Sequence, residues 1–212
     1  MKKNALLQSL SLLLWMSLLT GVLYPALVTL GAQLAFRDKA NGSLLLVGGQ
    51  VRGSRLLAQD FTASKGWFVA RPSATGWATL PGGASNLAAT NPAFAKEEAA
   101  NAAAWSLAAP GKSLPPDMAT SSGSGLDPDV SLEAALGQLD RVASERGLDA
   151  AAKTSLERRI SEMAAASETL LGTPRVNVVE LNAGIAGNVP PVAAAPSPEE
   201  SLPLAPADRA GK

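Results

Sequence analysis

The sequence predicts an α+β protein: a single N-terminal transmembrane helix followed by one compact mixed α/β domain in the extracytoplasmic space. Three observations carry this expectation. No charged residue stands between Lys3 and Arg37. Three later segments place apolar residues at helical spacing or are Ala-rich, each behind a residue suited to cap a helix. Two further stretches, 41–61 and 175–182, read as strands from their Gly-punctuated or β-branched runs.

The uncharged run is long enough to cross a hydrocarbon core, which needs about 20 apolar residues. It also exceeds the short apolar region of a cleaved signal peptide, and no small-residue cleavage site precedes Arg37. The expected organisation is a cytoplasmic N-terminus at 1–6, a span at 7–30, an extracytoplasmic domain at 31–186 and a Pro/Ala-rich disordered tail at 187–212. Lys2 and Lys3 before the first apolar segment favour a cytoplasmic N-terminus in a single-pass inner (plasma) membrane protein. Pro25 marks a kink or the last turn of the span.

Beyond the membrane, Asn-Gly and Gly-Gly punctuate 41–61 as a hairpin would. A Gly/Pro/Ser/Thr/Asn-rich loop from Gly66 to Pro92 has Trp67, Phe68 and Trp77 as its large anchors. Asn91-Pro92 opens an Ala-rich helix to about Leu107. Asp127-Pro128 is expected to open a second, with Leu132, Leu136, Leu139 and Val142/Ala143 on one face and Gly147 as stop. Asp149 caps a third, with Leu156, Ile160, Met163 and Leu170 spaced helically. "RVNVVELN" then reads as a strand.

The 212 residues carry 18 basic and 18 acidic side chains and neither Cys nor His. That removes Cys nucleophiles, His general bases and Cys/His metal sites, and the carboxylates never form a calcium-loop pattern. An aromatic content of 4% allows one modest core. Nothing in the charge balance points to nucleic acid. "LVGGQ" at 46–50 and "GKS" at 111–113 lack the strand–loop–helix context of nucleotide motifs; the former suits a hairpin turn. "RPSAT" at 71–75 offers either an anion grip through Arg71 or an Arg that bonds loop carbonyls. An exported Ser-Lys hydrolase, with Ser64/Lys65 or Lys112/Ser113, and a generic scaffold are the competing functional readings.

In order, "LLTGVLYPALVT", "ANGSLL", "VRGSRLLAQDF", "GWFVARPSAT", "GGASNLAATNP", "TSSGSGLDPDVS", "QLDRVASERGL" and "LGTPRVNVVELN" resemble the C-subunit family of the Kdp potassium-transporting P-type ATPase. The blocks run from the membrane segment to Asn182. The resemblance implies an accessory subunit without catalytic residues, which assembles and stabilises a potassium-uptake complex and acts as a catalytic chaperone for ATP binding by the pump. Its implied partners are a channel-like potassium-binding subunit, an ATP-hydrolysing P-type subunit, a small helical subunit and the membrane. No cofactor is expected to be held firmly: ATP would act through the pump subunit, and potassium is the complex's cargo. The candidate partner-contact or structural-loop residues lie in these blocks: Arg71, Pro72, Ser73, Asn86, Asn91, Pro92, Ser124, Gly125, Asp127 and Asn177.

Overall fold

The computed structural model describes residues 2–167 and 172–186. The third helix's expected continuation through Leu170 and the tail from 187 lie outside the described residues. The chain divides into two compact units between Leu56 and Leu57.

In the first unit, α1 (Lys2–Leu18) and α2 (Tyr24–Ala35) are joined by a π-helical turn at Leu19–Leu23, in which the Tyr24 N–H donates to the Leu19 carbonyl. Pro25 accounts for the wide turn. It has no N–H for the carbonyl four residues back, and widening the helix there lets the chain pass the ring without breaking. The result is 32 continuous residues, Asn4–Ala35, long and apolar enough to cross a membrane. This is longer than the expected 7–30, because neither a charge nor a cap intervenes before Phe36, whose φ of −140° ends the helix. A short α3 (Arg37–Ala40) leads into an antiparallel hairpin, β1 (Leu44–Val47) and β2 (Gln50–Ser54). Gly48 and Gly49 make its turn with φ of +60° and +80°, so "LVGGQ" is the hairpin turn its composition suggested.

The second unit's core is a two-stranded antiparallel sheet packed by helices. Strands β3 (Asp129–Ser131) and β4 (Arg175–Asn177) pair with Val130 opposite Val176, both fully buried. Helices α6 (Leu132–Glu145), α7 (Ala150–Ser167) and α8 (Val178–Ile185) supply Leu139, Val142, Leu156, Ile160 and Leu181 to the same core, which the fully buried Phe68 joins. Helix α4 (Pro92–Ala108) starts where expected: Asn91 Oδ1 accepts from the Ala93 N–H at 3.0 Å, with Pro92 at the first helical position. A short α5 (Pro116–Ala119) follows. Trp105 fixes α4 against α6, its ring lying so close over Gly137 that a Cβ there would come within 2.9 Å of it. Asp149 caps α7 as expected, accepting from the Ala152 N–H at 2.7 Å. Gly147 (φ +62°) ends α6, and Leu148 N–H reaches back to the Ala143 carbonyl.

Two expectations are corrected. Asp127-Pro128 does not open the second helix: the chain first pairs as β3, and Ser131 is the N-cap, its Oγ accepting from the Ala134 N–H. The run 175–182 is not one strand. It pairs for three residues, then Asn177 accepts from the Glu180 N–H and the chain turns into α8. In both places a polar cap sits inside a segment whose apolar content continues across it, and the cap decides the geometry.

Candidate functional site: a clamped loop and a three-loop junction

Segment 65–70 crosses the second unit without strand partners, and side chains take their place. Asn182, only 2% exposed, accepts from the Phe68 N–H at 3.0 Å and donates to the Phe68 carbonyl at 2.9 Å. Gln138, fully buried, does the same for Val69 at 2.7 and 3.1 Å. Arg141 donates to the carbonyls of Lys65, Trp67 (2.9 Å) and Ala108 (2.5 Å). Arg146 donates to those of Gly66 (2.7 Å) and Ile185 (2.9 Å) and lies 4.4 Å over the Trp67 ring, which stacks on Phe61. Burial pulls both guanidinium groups below the usual arginine range, Arg141 also feeling the opposing charge of Glu145. Together the clamps satisfy backbone groups that no sheet serves, buried at Phe68 and half-buried at Gly66, Trp67 and Val69. Sequence reading missed all four residues. For Gln138 and Asn182 the available signal was a polar residue standing at an otherwise apolar helical position.

The second feature joins "RPSAT", "PGGAS" and "TSSGSGLDPD". Arg71 donates from Nε to the Asp117 carbonyl and from a terminal nitrogen to Asp127 Oδ2, both at 3.1 Å. Thus it holds a carbonyl of α5 and the Asp127 carboxylate, and the anion in its grip belongs to the chain itself. Asp127 Oδ1 in turn accepts from the Asp129 N–H, shaping the entry to β3. The Pro72 carbonyl accepts from Ser122 N–H at 2.9 Å. Ser73 Oγ accepts from the N–H groups of Thr75 and Trp77. Gly125, with φ +72°, packs so tightly that a Cβ would lie 2.6 Å from the Gly83 carbonyl oxygen and 2.7 Å from Thr75 Oγ1. Ser124 Oγ accepts from Leu126 N–H.

Asn177 extends this junction across the sheet. It stands opposite Asp129 in the strand register and donates to its carboxylate at 2.9 Å. Burial pushes Asp129 above the usual carboxylate range; the Asn177 hydrogen bond opposes that, and the Asp127 charge adds to it. Arg71, Pro72, Ser73, Ser124, Gly125, Asp127 and Asn177 are therefore connected, directly or through one neighbour. Asn86, with φ +54° and a bond to the Ala84 carbonyl, and the Asn91-Pro92 cap act locally instead.

Between the clamped segment and α4 lies a cavity of about 530 Å³, walled by Val69, Ala70, Pro72, Trp77, Trp105 and Met118, with Lys65, Arg141 and Glu145 also lining it. The Trp77 indole nitrogen is buried there without a partner. Of the two Ser-Lys pairs, Lys112/Ser113 is otherwise engaged: Lys112 bridges to Asp140 at 3.0 Å, while Ser113 Oγ donates to Glu133.

These features define an α+β module, joined in sequence to one long apolar helix, whose polar side chains hold loops in shape. The family model described as "KdpC: K+-transporting ATPase, c chain" matches residues 6–186, and the chain belongs to this family. It is similar to proteins named potassium-transporting ATPase KdpC subunit in three pseudomonads. It is 47% identical to that of Pseudomonas putida over 175 residues, 82% of this chain and 92% of the relative. The identity is 46% over 180 residues for Pseudomonas syringae pv. tomato (84% and 91%) and for Pseudomonas aeruginosa (84% and 94%).

Proposed function

We propose that this chain is the single-span accessory subunit of an ATP-driven potassium-uptake pump. The carrying observation is the family match over residues 6–186, which takes in both the apolar helix and the loop junction. In this reading the helix crosses the inner membrane with the N-terminus inside. The domain lies outside and assembles with a channel-like potassium-binding subunit, the ATP-hydrolysing subunit and a small helical subunit. The engagement of polar groups within the Arg71–Asp127 junction supports a scaffold: these side chains fix loop shape and leave the backbone surface to the partner. Support for ATP binding then acts at a distance, as a chaperone-like coupling through the membrane subunits.

The test has two arms. Affinity purification of the full chain from membranes is expected to bring large multi-span subunits with it, and deletion is expected to abolish growth at low potassium. A chain that purifies alone and is dispensable at low potassium overturns the proposal. A cysteine at Ser124 is expected to react with an impermeant thiol reagent in intact spheroplasts. Reaction only after the membrane is opened would reverse the topology while leaving the subunit assignment standing.

A further inference from the structure

We propose that the β1–β2 hairpin docks on the anionic headgroup surface of the bilayer through Leu44, Leu46 and Val51. This rests on the reading that the apolar helix spans the membrane, and it adds a second membrane contact to the chain.

The first observation is the mounting of the hairpin on the helix end. Gln33 on α2 and Asn41 exchange reciprocal side-chain hydrogen bonds at 3.1 and 3.3 Å, and Asn41 also donates to the Arg37 carbonyl at 2.7 Å. Ser43 N–H donates to the Asp38 carbonyl, Arg55 N–H to the Ser43 carbonyl, and Ser54 Oγ to the Gly42 carbonyl at 2.6 Å. Arg55 and Asp38 pair at 3.3 Å. The base of the hairpin is therefore held where the chain leaves the apolar helix.

The second observation is its apolar outward face. A solvated two-stranded ribbon turns a polar face to water. Here Leu44, Leu46 and Val51 are 43%, 63% and 57% exposed, and Leu46 stands directly opposite Val51 in the register. Leu45 and Val47 point the other way and are half-buried, so neither face of β1 is polar.

The third observation selects the occupant. The segment from Phe36 to Leu56 carries Arg37, Lys39, Arg52 and Arg55 against Asp38 alone, three positive charges in excess, whereas the whole chain is balanced at 18 and 18. An apolar face with locally concentrated positive charge beside a membrane exit matches the interface of an anionic bilayer. There apolar side chains enter by about 5–10 Å and basic ones meet the headgroups.

The chain has no native cysteine, so a single Leu46→Cys spin label is unique. The full chain is reconstituted in phosphatidylcholine vesicles with and without phosphatidylglycerol, and oxygen and nickel-chelate collision rates are compared. Docking predicts that oxygen dominates at position 46 when phosphatidylglycerol is present. Adding Lys39→Gln is then expected to lower the docked-to-free ratio about fivefold, the equivalent of roughly 1 kcal/mol per basic side chain at such a surface. A label equally open to nickel in both compositions, on a chain that resists carbonate extraction, overturns the hairpin proposal and leaves the span intact. Shielding seen only in the assembled pump complex assigns the face to a protein neighbour and overturns lipid docking. Release of the chain by carbonate removes the span and this proposal together.

Discussion

Replacing Asn182 by Leu tests the clamp on segment 65–70 with little change of shape. The side chain is 2% exposed and Phe68 is fully buried, so water cannot take over its two hydrogen bonds to the Phe68 backbone. Each buried backbone group left unpaired costs about 1–3 kcal/mol, which puts the variant about 2–6 kcal/mol below the parent. A domain of this kind has only about 5–15 kcal/mol in all. Urea unfolding of the detergent-solubilised chain, followed by tryptophan fluorescence, measures the loss. Limited trypsinolysis reads it locally, because freeing the segment opens the peptide bond after Lys65, whose carbonyl Arg141 holds. A midpoint shift worth less than about 1 kcal/mol at unchanged slope, with Lys65 still protected, would refute the clamp.

Gly125→Ala is expected to cost more than about 2 kcal/mol, since it combines a left-handed backbone with a Cβ driven into the Gly83 carbonyl and Thr75; differential scanning calorimetry reads this as a lowered Tm. Asp127→Ala is expected to cost about 1–3 kcal/mol by leaving the largely covered Arg71 guanidinium without its carboxylate. Ser131→Ala should lose about 1 kcal/mol of helix cap. Because the two residues serve different elements, hydrogen exchange should open 71–77 in the first variant and the start of α6 in the second. Asp129 binds its proton more tightly folded than unfolded, so stability falls as pH rises from the ordinary carboxylate range through the raised value. Asp129→Asn keeps an acceptor for Asn177, should flatten that slope and should raise stability at neutral pH; unfolding midpoints measured across the acid range check it.

The long apolar helix, the hairpin turn and the starts of α4 and α7 were legible because each rests on a local signal: an uncharged run, a Gly-Gly pair, or an Asn or Asp cap. The start of α6 was misread because Asp127-Pro128 and Ser131 are two caps four residues apart. The choice between them lies in the pairing of 129–131 with 175–177, which is distant in sequence. The α8 start carried a readable sign, Asn177 followed three residues later by Glu180, that the β-branched run obscured. At the junction, the partnership of Arg71 with Asp127 spans 56 residues, and no spacing rule announces it. Gln138 and Asn182 passed unnoticed because sequence patterning counts polarity and cannot count unpaired backbone on a neighbouring segment.

The π turn at Leu19–Leu23 also bears on which helices can lie beside this one. A turn with one extra residue rotates all that follows by about 100° relative to an unbroken α-helix. Side chains that line one stripe in α1 therefore have no continuation at the expected positions in α2. The two halves of the long apolar helix therefore present differently aimed surfaces, and a neighbour packed along the stripe of α1 would meet a different side of the helix from one packed along α2.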